Sequence, residues 1–91
     1  MSITPDTRVD LDRFWSTIEA SGEIGKGRPD GLSRLTLGDA DRDMRDLFRS
    51  WCEEAGLTVE VDAAGNIFGR RDGSDNDLPP ILIGSHLDTQ I

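Results

Sequence analysis

The residues best suited to chemistry stand close together near the end of the sequence, in Gly84-Ser85-His86-Leu87-Asp88-Thr89. His86 is the single histidine of the chain. In an extended backbone, residues two apart point to the same side, so His86 and Asp88 share a face. Imidazole is a good zinc ligand. A carboxylate beside it can accept the other ring N–H, fix the tautomer and raise the ring's basicity. The pair is therefore half of a metal site, or else a capped strand end or a structural pair. It cannot complete a zinc site alone, because zinc takes at least three protein ligands. No second histidine, cysteine pair or H-x-x-x-H spacing is present.

Two other chemical readings fail. The loop Gly22-Glu23-Ile24-Gly25-Lys26-Gly27-Arg28-Pro29-Asp30-Gly31 is glycine-rich. A phosphate loop needs G-x-x-x-x-G-K followed by Ser or Thr, after a strand. Here Gly27 follows Lys26, and the preceding segment has helical periodicity. The G-x-G-x-x-G pattern is missed as well, because Asp30 stands at its last glycine. The loop is a plain connection or a flap. Cys52 lies on an apolar helical stripe with no base near it, so it is expected to pack rather than react.

Around these residues, the apolar spacing predicts the elements that must hold them. Leu11, Phe14, Trp15 and Ile18 follow the helical spacing i, i+3, i+4, i+7 within a helix from Val9 to about Ala20, closed by Gly22. Residues 1 to 7 are expected to be a loose leader. A second helix carries Met44, Leu47, Phe48, Trp51, Cys52 and Ala55 as its stripe. Asp39, Asp41 and Asp43 crowd its first turns, where the helix dipole favours negative charge. Thr36-Leu37-Gly38-Asp39 resembles a capping box, and Gly56 is placed as the C′ glycine. Leu57, Val59 and Val61 alternate with polar residues, as in a half-buried strand. Ala63-Ala64-Gly65-Asn66 is a turn, and Ile67 to Arg71 returns as the second arm of a hairpin. A polar loop spans 72 to 77. Ile81 to Ile83 is an unbroken apolar run, the pattern of a central strand covered on both faces. The preceding residues supply only a hairpin to pair with it. Left uncovered, the run would be an apolar patch.

Composition bounds the partners. The chain has 91 residues, 18 acidic and 10 basic, for a net charge of -8. Such a surface disfavours nucleic acid and anionic membranes alike. No apolar stretch reaches spanning length, and Met1-Ser2-Ile3-Thr4-Pro5-Asp6 has no signal-peptide character. A lone cysteine excludes an internal disulfide, so a cytoplasmic location is expected.

Several segments, taken together, resemble the hydantoinase/carbamoylase family of metallo-amidohydrolases, within the zinc aminoacylase and carboxypeptidase superfamily. Gly84 to Thr89 resembles its first metal motif. Gly31-Leu32-Ser33-Arg34-Leu35 is similar to an early family segment. Trp51 to Leu57 is similar to its second helix and glycine stop, and Asp62 to Arg70 to its Asp-x-x-Gly-Asn hairpin. Gln90 departs from the valine common there.

The resemblance implies an α/β fold: the N-terminal piece of a zinc-peptidase-like catalytic domain, with two helices, a β-hairpin and a central buried strand. Residues 1–91 would be the truncated N-terminal part of that domain. It implies that His86 binds one ion of a two-metal centre and that Asp88 orients His86 without being a ligand. The ions would be zinc, with manganese or cobalt suiting the same ligands. The implied activity is hydrolysis of a non-peptide C–N bond in N-carbamoyl or ureido amino acid-like substrates by metal-activated water. Such substrates include those of N-carbamoyl-L-amino acid hydrolases, allantoate amidohydrolases and β-ureidopropionases. The remaining ligands, the glutamate base and a dimerisation domain would lie beyond Ile91, so the chain alone is expected to be inactive. The full-length protein is expected to be a homodimer. Two alternatives stand beside this reading: an aminoacylase or dipeptidase of the same superfamily, and a truncated product without catalysis. Asn66 is expected to serve its turn, and Arg34 and Arg70 have no role assignable from sequence.

Overall fold

A computed structural model describes residues 7–27 and 31–90. Helix α1 spans Leu11–Gly22 and α2 spans Asp39–Glu54; strands β1, Thr58–Val61, and β2, Ile67–Arg70, follow. The order is the predicted one. The predicted leader lies almost wholly outside the described residues, and the middle of the glycine-rich loop lies outside them too.

Helix α1 begins two residues later than the expected start at Val9, at the first residue of its apolar stripe. The reason is Asp10, whose carboxylate accepts the Arg13 N–H at 3.1 Å and takes the N-cap position. Gly22 does not stop the helix; it is its last residue, and Glu23 is the C-cap. The left-handed turn comes later, at Gly25, with φ of +77°. A β-carbon there would stand 2.9 Å from both Ala40 Cβ and Ser33 O, so only glycine fits this approach.

Helix α2 starts differently from a capping box. Its N-cap is Gly38, which contributes no side chain, and Thr36 is not a cap. Asp41 reaches back instead and accepts the Leu37 N–H at 3.0 Å. Leu37 itself takes a positive φ of 71°, unusual for a bulky residue. At the other end Ala55 is the C-cap, and Gly56 follows with φ of +78°, as a C′ glycine should.

The hairpin is antiparallel, with Val59 opposite Gly69 and Val61 opposite Ile67. Its turn is organised by the Asp62 carboxylate. Oδ1 accepts the Ala64 and Asn66 N–H groups at 3.0 and 2.8 Å, and Oδ2 accepts the Asn66 side-chain amide at 2.9 Å. That amide, with the backbone donors behind it, holds the Asp62 carboxyl below the usual carboxylate range. Asn66 thus serves the turn, as expected.

The core is small. Met44 and Cys52 on α2 are its buried apolar residues among those described. Burial, with a smaller contribution from Glu53, pushes the Cys52 thiol up, away from the reactive thiolate. The thiol packs beneath Gly69, where a β-carbon would stand 2.6 Å from Cys52 Sγ and 3.1 Å from Leu57 Cδ1. Gly69→Ala is therefore expected to destabilise the chain by about 1–3 kcal/mol through overpacking. Adding Cys52→Ala should recover part of that loss. Urea unfolding of both variants checks this; an unchanged midpoint for Gly69→Ala would contradict the packing.

Two apolar surfaces lie open. On α1, Leu11, Phe14, Trp15 and Ile18 share one face, as their spacing predicts, and are all exposed. The run Ile81 to Ile83 forms no strand among the described residues, and Ile81 and Ile83 are each 91% exposed. A strand needs a neighbour to take its N–H and C=O groups. The described strands pair only with each other, in a two-stranded sheet, and the run lies along the free edge of neither. The run is the apolar patch expected when such a segment goes uncovered.

Candidate functional site

The segment after that run is held in place by residues more than fifty positions earlier. The central holder is Arg34, only 5% exposed. Its Nε donates to the Leu87 carbonyl at 2.7 Å. Nη1 donates to the Ser21 and Ile24 carbonyls at 2.8 and 3.0 Å, and Nη2 to the Ser21 hydroxyl at 3.3 Å. One planar guanidinium thus joins the end of α1 to the His86–Asp88 segment. The five fixed donors of arginine make that possible. No carboxylate lies within ion-pair distance of it among the described residues, so backbone and hydroxyl dipoles alone stabilise the buried charge.

The backbone of Arg34 adds a second attachment. Its N–H donates to Thr89 Oγ1 at 2.9 Å, and its carbonyl accepts the Thr89 N–H at 2.7 Å. Leu87 packs inward on a groove of about 400 Å³ between the helices, which Ile18, Met44, Phe48 and Trp51 also line. Leu87 and Thr89 therefore face the body of the chain, and His86 and Asp88 face the other way, as period two requires.

On that outer side the predicted pair meets. His86 Nδ1 lies 2.8 Å from the Asp88 backbone carbonyl and 3.2 Å from Asp88 Oδ1. A carbonyl oxygen can only accept, so Nδ1 carries the proton. In the neutral ring Nε2 is then the bare lone pair. The His86 side chain is 76% exposed, so the ring is accessible from solvent. Asp88 is held in turn: the Thr36 hydroxyl donates to its Oδ2 at 3.0 Å. The Thr36 hydroxyl, and then the His86 ring, hold the Asp88 carboxyl below its usual range.

This donor set suits one metal ligand and no more. His86 offers a single imidazole nitrogen in the tautomer a metal requires. Among the described residues no three His, Cys, Asp or Glu side chains converge. The sequence pointed to His86 and Asp88, and the structure brings them together. It left Arg34 without a role and placed Thr36 at a helix cap; both act on this segment instead. No local spacing could have linked them, since Arg34 and Thr89 are 55 positions apart. Arg70 does not join the site; it pairs with Asp72 on the surface at 3.9 Å.

No family model matches the chain. It is, however, 52% identical over 83 residues to the N-carbamoyl-L-amino-acid amidohydrolase of Rhizobium meliloti, covering 91% of this chain and 20% of that protein. It is 45% identical over 60 residues to allantoate deiminase 1 of Glycine max, covering 66% of this chain and 12% of that one. Its fold superposes on a hydantoinase/carbamoylase family amidase from Burkholderia ambifaria with a TM-score of 0.87 at 52% identity, covering 90% of this chain and 20% of that one. Over its own length, the chain is similar to members of the hydantoinase/carbamoylase family. It spans about 20% of the length of the Rhizobium meliloti and Burkholderia ambifaria proteins. Both helices and the hairpin are thus shared with these relatives. No helix among the described residues is long and apolar enough to cross a membrane.

Proposed function

We propose that this chain is the N-terminal part of a metal-dependent amidohydrolase and supplies one of its metal ligands, His86. The reaction is hydrolysis of the non-peptide C–N bond of an N-carbamoyl or ureido amino acid-like substrate. The observation that carries the metal reading is the 2.8 Å contact from His86 Nδ1 to the Asp88 carbonyl, which leaves Nε2 bare and exposed. The substrate class is supported by the names of the relatives, an N-carbamoyl-L-amino-acid amidohydrolase and an allantoate deiminase. When bound, divalent ions lower the pKa of water and polarise the scissile carbonyl. The residues of this chain orient: Asp88 sets the ring of His86, and Arg34 sets the backbone that carries both. Zinc fits an imidazole donor, and manganese or cobalt fit it also. A homodimer is part of the same reading.

The test is a substrate panel on the whole protein, or on a chimaera in which this chain replaces the matched segment of the Rhizobium meliloti relative. Hydrolysis of N-carbamoyl-L-amino acids or allantoate is expected to vanish on chelation and return with zinc, manganese or cobalt. N-acetyl amino acids and dipeptides are expected to be poor substrates. The 91-residue chain alone is expected to show no turnover. Activity that survives complete metal removal would sink the proposal.

A further inference from the structure

The neutral imidazole of free histidine prefers its proton on Nε2. His86 is held in the opposite form, with Nδ1 as donor. Something must stabilise that tautomer on a ring so open to water. Asp88 does so through two acceptors, its carbonyl and Oδ1. A half-exposed carboxylate, left to itself, exchanges rotamers with water as its partner. Its far oxygen, Oδ2, is instead tied to Thr36 Oγ1 at 3.0 Å. Because an ionised carboxylate only accepts, the hydroxyl must donate.

The position of Thr36 is itself determined from both sides. Before it, the backbone of Arg34 is paired with Thr89. After it, the chain turns sharply: the Gly38 N–H bonds to the Leu35 carbonyl at 3.0 Å, and Leu37 takes its positive φ with its N–H on Asp41. The N-cap of α2 is Gly38, with no side-chain cap, and Asp41 braces the turn before it. The Thr36 hydroxyl is free to face the site.

We propose that Thr36 is a positioning residue of the site: its hydroxyl locks the Asp88 carboxylate, which keeps His86 in the Nδ1–H form with Nε2 turned outward for a divalent cation. The inference rests on the reading of His86 as a metal ligand, but its structural half can be tested without metal.

Three variants decide it: wild type, Thr36→Val, which removes the hydroxyl at similar shape, and Thr36→Ser, which restores it. His86 is the single histidine, so ring 15N spectra of the chain, taken where the ring is neutral, report its tautomer without assignment. The Nδ1–H form is expected to dominate in wild type and Thr36→Ser, and to give way towards Nε2–H in Thr36→Val. In the chimaera, Thr36→Val is expected to weaken zinc binding roughly 10-fold, the lower end of what outer-shell partners carry. It should lower kcat more than it changes KM, and Thr36→Ser should recover both. An unchanged tautomer ratio in Thr36→Val overturns the inference, whatever the chimaera does. A wild-type chimaera that binds no zinc overturns the metal reading instead, while the spectra still decide the role of Thr36. Should Thr36→Val lose its helical signal, side-chain couplings of Asp88 in wild type decide: one rotamer is expected, and rotamer averaging overturns the inference.

Discussion

Arg34→Ala is expected to cost the chain about 3 kcal/mol of stability and to release the His86–Asp88 segment. The guanidinium satisfies the carbonyls of Leu87, Ser21 and Ile24 and the hydroxyl of Ser21. Each buried acceptor left without a donor costs on the order of 1–3 kcal/mol, offset in part where water enters the space vacated. The loss falls on two connections at once, the end of α1 and the segment at 87–89. Arg34→Lys keeps the charge but not the planar fork, and a compact ammonium cannot reach three separated acceptors. It is expected to recover less than half of the loss. Urea denaturation gives the stability, and the His86 ring signals report release of the segment. A variant within about 0.5 kcal/mol of wild type, the ordinary range for a surface change, would mean that Arg34 is not the tie described.

His86→Ala is expected to do the reverse: little to the fold and nearly everything to function. The ring is largely exposed and bonds only to Asp88. Its removal should leave stability within about 0.5 kcal/mol of wild type, as for other surface positions. In the whole protein or the chimaera, the same change removes a proposed ligand. The fall in kcat/KM should exceed the roughly 100-fold that an outer-shell partner carries. Bound zinc should drop in parallel, measured by elemental analysis after dialysis. Full zinc occupancy with activity within tenfold of wild type would remove His86 from the metal centre. The two variants together separate a residue that builds the site from one that acts in it.

Much of the local structure was legible from side-chain type alone. The α2 helix, its Gly56 stop, the hairpin and the Gly65-Asn66 turn formed as their spacing predicted, whereas Val61, on the expected inner side of β1, and Ala55, at the end of the stripe, are exposed. These features depend on contacts within a few residues, where period and turn chemistry suffice. The differences arose where a distant or neighbouring partner outweighed a local signal. Thr36 has the spacing of a cap for α2, but the N-cap is Gly38 without a side-chain bond, and Asp88, 52 positions on, takes the Thr36 hydroxyl. The expected helix opened at Val9, but the Asp10 cap began it at Leu11, the first residue of the apolar stripe.

The apolar run at 81–83 has the composition of a buried strand and the exposure expected of such a run left uncovered. A strand exists only with a partner ladder, and the run pairs with neither described strand. Composition sets how apolar a segment is; its neighbours decide whether that surface is covered.

From the order of its residues alone, the chain determined which helices and hairpin arise, that His86 and Asp88 share one side of an extended segment, and that Cys52 is packing material. Folding in three dimensions decided what holds that pair. Arg34 and Thr36 meet residues 87 to 89 only because α1, the turn before α2 and the last segment converge. Hydrogen bonds act over about 3 Å of space, and an interval of 55 positions along the chain carries no periodic signal from which such a contact could be read.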